Sequence, residues 1–305
     1  MTENHDDIFA STPQENPAQE SQPSQEFDKE EWAAKKQQER DGVYAQADSM
    51  AEKVAAEPQA FKQYLDTQAQ FDRYTPTNAL LVQAQQPDAT RTGDLEYWKS
   101  QKVYIKKAEI RNPILILEPG SQYQRGDGSV GTSFDVKRVF DVSQAEKRVA
   151  VQKMNYTERA LLTALREASP VPIVMSDSLP GNRGAMYDKT SDTILLRQGM
   201  SSADIFRAVS REIATIQLSQ GEPVPNMPFK ALAASYLVCK KYGIEVDNYN
   251  FSQSGAVLEG KDAKEVRGEL SQIRNAASDT IGKMEQSLAQ ARNAASKTDR
   301  KRDEK

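Results

Sequence analysis

The chain has 305 residues, with 40 Lys and Arg against 44 Asp and Glu, a formal net charge of −4 and a single histidine. That balance argues against a protein that coats duplex DNA by bulk electrostatics, and leaves room for a local basic patch. The lone cysteine, Cys239, rules out a disulfide framework, fits a reducing compartment and reads as a buried core thiol within ALAASYLVC. With no leader-like start and no apolar run near 18 residues, a cytoplasmic protein without a signal peptide or membrane span is expected.

Residues 1–27 are rich in Glu, Gln, Ser, Asn and Pro and have too little to bury to offset the entropy of ordering, so a disordered acidic tail is expected. From Asp28 to Gln70 the pattern is helical and broken once, at Pro58, with Trp32, Phe61, Tyr64 and Leu65 as the apolar stripe. These helices are expected to support the stretch that follows.

That stretch, Tyr74 to Pro119, organises the chain. Thr75 can cap a helix, Pro76 suits its first position, ALLVQAQ supplies apolar residues and Pro87 stops it. Arg91, Lys99, Lys102, Lys106, Lys107 and Arg111 are then interleaved with Tyr97, Trp98 and Tyr104, against only Asp94, Glu96 and Glu109. The apolar run Ile114 to Leu117 follows and reads as a buried strand. Rings among cations suit a single nucleic-acid strand, whose bases stack for about 1–3 kcal/mol each while Lys and Arg follow the phosphates. Tyr74, Trp98 and Tyr104 are the stacking candidates and Asn78 and Gln83 the polar contacts. Arg91, Lys99, Lys102, Lys106, Lys107 and Arg111 are the phosphate contacts. The plainer alternative is a core ring for each aromatic residue and a solvated face for the lysines.

Beyond Pro119, a Gly-bearing loop leads into FDVKRVFDV, which points to a long hairpin. Gly126, Gly128 and Gly131 precede neither a helix nor Gly-Lys-Ser/Thr, which speaks against a phosphate-cradling loop. The segment from about Ala145 to Val151 reads as a linker or a strand continuation, and is where a domain boundary is expected. Thr157 then caps a helix, and VPIVMSD and TILLRQ are short strands around a polar turn. Ser201 or Ser202 opens a helix with Phe206, Val209, Ile213 and Ile216 on its apolar side and Gly221 beyond its end; another runs from Pro228 to Tyr242, closed by Gly243. Residues 256–295 read as one long helix, followed by a polar tail at 296–305.

Tyr74, Asn78, AQQPDATRTGDLEYWKSQ and VFDVSQ (Val139 to Gln144) together resemble the N-terminal single-stranded DNA-binding domain of ArdC-type antirestriction proteins, carried by plasmids and integrative conjugative elements. The match covers about Phe61 to Gln144, and the second half resembles the zinc metallopeptidase-like domain that follows in that family. The resemblance implies an α+β protein. Residues 28–145 would be a helical and β-hairpin single-stranded DNA-binding domain, 146–255 a degenerate zincin-like domain and 256–295 a long C-terminal helix, between disordered ends at 1–27 and 296–305.

The resemblance also places Arg211-Glu212-Ile213-Ala214-Thr215 where the family carries His-Glu-x-x-His, and Leu232 near the acidic third ligand. A catalytic zinc needs three protein ligands, and the only histidine is His5. The expectation is a pseudo-peptidase with Arg211, Glu212, Thr215 and Leu232 as vestiges, no cofactor and no metal. Where the family carries glycines this chain has Lys102, Ala108 and Arg111, two of which add positive charge. The implied function is non-catalytic single-stranded DNA binding by a protein of a plasmid, conjugative element or phage, protecting transferred DNA from restriction. The alternative is an interaction scaffold whose groove and long helix bind a protein partner, the groove by strand addition. A working metallohydrolase would have to build its site from Asp and Glu alone.

Overall fold

The computed structural model describes residues 29–149, 155–220 and 224–303. The predicted acidic tail at 1–27, with His5, and Gly221 lie outside them. Contacts divide the chain after Gln38. The residues before that point supply the first turns of α1 (Lys29–Ala56), and Glu39 to Lys305 form one compact unit. Trp32, in the first of these, is 52% exposed, whereas Phe61, Tyr64 and Leu65 are fully buried. The expected stripe is therefore formed without the tryptophan.

Pro58 occupies the first turn of α2 (Pro58–Gln70), where its missing N–H costs nothing. Thr75 caps α3 (Pro76–Gln85) through its side chain, which accepts from the Asn78 backbone N–H. Next come β1 (Thr92–Gly93), α4 (Leu95–Ser100), β2 (Ile114–Gln124) and β3 (Val130–Asp141), which form an antiparallel sheet in the order β1-β3-β2. β2 and β3 are the predicted long hairpin, with a register shift between Pro119 and Gln122.

β2 is an edge strand, and α3 closes that edge with two amides. Asn78 donates to the Leu117 carbonyl at 2.8 Å and accepts from its N–H at 2.9 Å. Two helical turns on, Gln85 donates to the Leu115 carbonyl at 2.9 Å and accepts from its N–H at 2.8 Å. Each amide substitutes for a neighbouring strand and satisfies backbone groups that would otherwise be exposed.

The second half runs α5 (Glu158–Ala168), β4 (Ile173–Ser176), β5 (Ala185–Asp188), β6 (Thr193–Arg197), α6 (Ser202–Leu218), α7 (Met227–Lys241), α8 (Ser254–Leu258) and α9 (Ala263–Asp303). Thr157 and Ser201 cap α5 and α6 as their positions predict, and Gly243 takes φ of 72° just past α7. Two differences stand out. The polar turn expected between two strands contains a third, β5, so the sheet is β4-β6-β5, with β4 parallel and β5 antiparallel to β6. α9 also continues to Asp303, through most of the segment expected to be a disordered tail.

A main core gathers α2, α5, α6, α7 and α9 around Phe61, Leu165, Phe206, Tyr236, Leu270 and Met284. Phe61 packs against Phe229 and Phe251 with ring centroids 5.3 and 5.5 Å apart, so α2 is seated against the second half of the chain as well as beside α3. Cys239 is fully buried there, and burial pushes its thiol upward. Among the described residues, no helix is long and apolar enough to cross a membrane.

Candidate nucleic-acid interface

The segment from Thr90 to Asn112 has little regular structure beyond α4 and a single 3-10 turn at Glu109–Arg111, and is held in place by the end of β3. Asp141 has no exposed surface, and its carboxylate accepts from the N–H groups of Thr90 (2.7 Å), Arg91 (2.8 Å) and Ser143 (2.8 Å). The Gln144 side-chain oxygen accepts from the Asp141 N–H at 2.8 Å, completing a capping box, and its amide nitrogen donates to the Asn112 carbonyl at 2.8 Å. The Trp98 indole N–H donates to the Phe140 carbonyl at 2.9 Å. An antiparallel bridge, Ile105 with Ala145, completes the attachment. VFDVSQ is thus a clamp, fixing the start, middle and end of the basic segment through Asp141, Phe140 and Gln144.

This arrangement sorts the candidate residues. Trp98 is 1% exposed and packs with Ile105 and Phe140, so it has no ring face for a base. Asn78 is committed to Leu117, and Gln83 is buried and donates to the Ala60 carbonyl at 3.1 Å. Tyr74 is half-buried, stacked on Phe71, with its hydroxyl 2.7 Å from the Thr92 hydroxyl. The Arg91 guanidinium donates to the Tyr97 hydroxyl at 2.6 Å and lies over the Trp98 ring at 5.3 Å. The expected contacts through Trp98, Asn78 and Gln83 give way to scaffold roles, because partners far along the chain already use their polar atoms and cover their surfaces.

The remaining candidates are exposed. Tyr104 is 63% exposed, and Lys99, Lys102, Lys106, Lys107 and Arg111 all face solvent. Among the described residues these five cations form no ion pair; Lys106 donates only to the Ser143 carbonyl, at 3.3 Å. Lys137 is a contrast: it sits between Asp94 and Glu118 at 3.0 Å each, which hold its ammonium above its ordinary range. Tyr97 joins the exposed set at 37%, with Gly93 against one side of its ring and no room there for a Cβ. The Lys102 backbone adopts φ of 56°, a left-handed conformation that glycine takes more readily.

In the second half, Arg211 and Leu232 line a single groove of about 480 Å³. Glu212 is half-buried and accepts from the Tyr187 N–H of β5 at 3.0 Å. Its burial holds the carboxyl above its ordinary range, against the opposing effects of that hydrogen bond, Arg211 and Arg183. Thr215 donates back to the Arg211 carbonyl at 3.0 Å. Among the described residues no three His, Cys, Asp or Glu side chains converge, and the groove presents a guanidinium and an isobutyl group where a metal would need lone pairs. The residues present do not fit the zinc that the resemblance would bring. Arg197 and Arg207, which share the groove, were not singled out from the sequence, although the spacing of Arg207 and Arg211, one helical turn apart, was visible in it.

Fold and geometry together define an α+β protein that presents a cationic segment, free of ion pairs at Lys99, Lys102, Lys106, Lys107 and Arg111 among the described residues, beside exposed tyrosines. No protein-family profile matches the chain, and no curated protein does. Among solved structures, the chain is similar to the antirestriction ArdC protein from plasmid R388. The metal-free form is 15% identical over 71% of this chain and 84% of that one, with a TM-score of 0.44. The Mn(II)-bound form is 14% identical over 69% and 83%, with a TM-score of 0.45.

Proposed function

We propose that this protein binds single-stranded DNA without catalysis, through the exposed side of residues 97–111. The observation that carries the reading is the set Lys99, Lys102, Lys106, Lys107 and Arg111, none of them ion-paired among the described residues, beside the exposed rings of Tyr97 and Tyr104. Unpaired cations release counterions from a phosphate chain, and accessible rings accept bases of any sequence. Binding is therefore sequence-tolerant and weakens with salt. The non-catalytic part rests on the donor set at Arg211, Glu212, Thr215 and Leu232, which suits no catalytic metal. Protection of transferred strands from restriction in a recipient cell is the role that the resemblance of Phe61 to Gln144 implies.

The test is fluorescence anisotropy of labelled single- and double-stranded oligonucleotides over a salt series, comparing wild type with a combined Tyr104→Ala, Lys106→Ala, Lys107→Ala variant. All three side chains are exposed, so the variant should keep its fold. Single-strand preference with a salt slope lowered by roughly 1.4, about 0.7 per lysine, is the expected result. Equal binding by variant and wild type, or no binding at low salt, would reject the reading.

A further inference from the structure

The groove at Arg211 has the composition of an anion site. It lies along α6, between the loop that precedes β5, the end of β6 and the segment after α7, and Met200, Ala208 and Leu232 give it an apolar surface. Arg197, Arg207 and Arg211 line it with the amides of Asn182 and Asn248, and among the described residues Asp204 is its only carboxylate.

Two of the arginines are fixed by backbone carbonyls. Arg197 donates to the carbonyls of Arg183 (2.9 Å) and Gly181 (2.6 Å), and Arg207 donates to that of Glu245 at 2.8 Å. A carbonyl orients a guanidinium without neutralising it. Arg207 also pairs with Asp204 at 2.6 Å, and Asp204 accepts from the Ser201 hydroxyl at 2.6 Å, so the one acid is already committed. Behind Arg207, the Ser235 hydroxyl donates to its backbone carbonyl at 3.2 Å and lies 2.7 Å from the hydroxyl of Tyr249, another groove residue. Arg211 is exposed, and among the described residues its guanidinium has no hydrogen bond or ion pair. Glu212, its neighbour, is turned to the Tyr187 N–H and occupies a donor on the β5 edge that an added strand would need.

We infer that this groove binds a small organic oxyanion, with the carboxylate or phosphate held by Arg211 in the field of Arg197 and the apolar part against Met200, Ala208 and Leu232. Arginine's planar fork matches either group with two parallel hydrogen bonds, and Arg197, held by carbonyls and without an acid partner among the described residues, favours the charge with little reorganisation. A volume of about 480 Å³ suits a small molecule or a single terminal group. The inference is independent of the nucleic-acid reading, whose residues lie elsewhere in the sequence.

Isothermal titration of the full chain with phenyl phosphate and with benzoate, and with benzamide as the neutral analogue, tests it. At least one oxyanion should bind, with benzamide at least about tenfold weaker or silent, since a charged hydrogen bond contributes that much or more. Tighter binding of phenyl phosphate would assign a phosphate ligand, and tighter binding of benzoate a carboxylate. Arg211→Ala should lose at least about tenfold. Arg211→Lys should fall between, and oligonucleotide affinity should be unchanged in both variants. Arg211 is an exposed helical residue and alanine favours helix, so the variant is expected to fold. Absence of heat with both oxyanions, equal binding of benzamide, wild-type affinity in Arg211→Ala, or a parallel loss of oligonucleotide binding would each overturn the assignment.

Discussion

Lys102 is a point where local backbone energetics and the proposed function pull in opposite directions, and Lys102→Gly separates them. Its φ of 56° costs an L-residue about 1–2 kcal/mol relative to the right-handed region. Glycine removes that cost but adds about 0.5–1 kcal/mol of unfolded-state entropy, leaving a net gain of about 0–1.5 kcal/mol. The backbone hydrogen bond from Lys102 N–H to the Lys99 carbonyl, 3.0 Å, survives the change, and the lysine side chain is exposed. For DNA, removing one phosphate contact lowers the salt slope by about 0.7, which at 0.1 M salt is roughly a fivefold loss of affinity. Urea unfolding paired with anisotropy over a salt series should therefore show a variant at least as stable as wild type that binds more weakly. A loss of stability above about 1 kcal/mol would refute the argument on the folding side, and an unchanged affinity and slope on the binding side.

Three further outcomes follow from the same structure. Asp141→Ala removes a fully buried acceptor of three backbone N–H groups and should cost about 2–4 kcal/mol in urea unfolding while abolishing oligonucleotide binding, because the basic segment loses its clamp. A cost below about 1 kcal/mol would contradict this. Glu212→Gln has a defined pH signature. Burial raises the folded-state pKa of Glu212, so its charged form costs stability above that value, and the cost is relieved as pH falls through the folded and then the ordinary carboxylate range. The Gln variant should then be the more stable at pH 7, with the difference narrowing toward acid; a variant destabilised at pH 7 would show that the carboxylate is needed in place. Cys239, buried and raised in pKa, should react with iodoacetamide only as fast as the protein unfolds, and rapid alkylation of the native chain would contradict the packing around it.

Features with local causes were legible in the sequence. Thr75, Thr157 and Ser201 cap helices because the N–H they accept from lies three residues on, and the β2–β3 hairpin follows from two apolar strands around a turn. The cations of the basic segment were legible as a set because lysines seldom bury. Side chains whose partners are distant were not. Asn78 meets Leu117, Gln83 meets Ala60 and Trp98 meets Phe140, separations of 39, 23 and 42 residues. A polar or aromatic side chain near a basic cluster looks the same whether it contacts a base or a backbone carbonyl until the fold is known. β5 escaped notice because four residues carry little periodicity and its outer edge is covered by α6 through Glu212. Lys102 stands where the resemblance implies glycine, and its left-handed backbone gives that position a physical basis.

The most direct measurement is ultraviolet cross-linking of a single-stranded thymidine oligonucleotide to the full chain, with the attachment sites mapped by mass spectrometry. Cross-links are expected at Tyr104 and Tyr97, lost at high salt and absent at buried Trp98. Cross-links confined to other parts of the chain, or none under conditions where anisotropy reports binding, would contradict it.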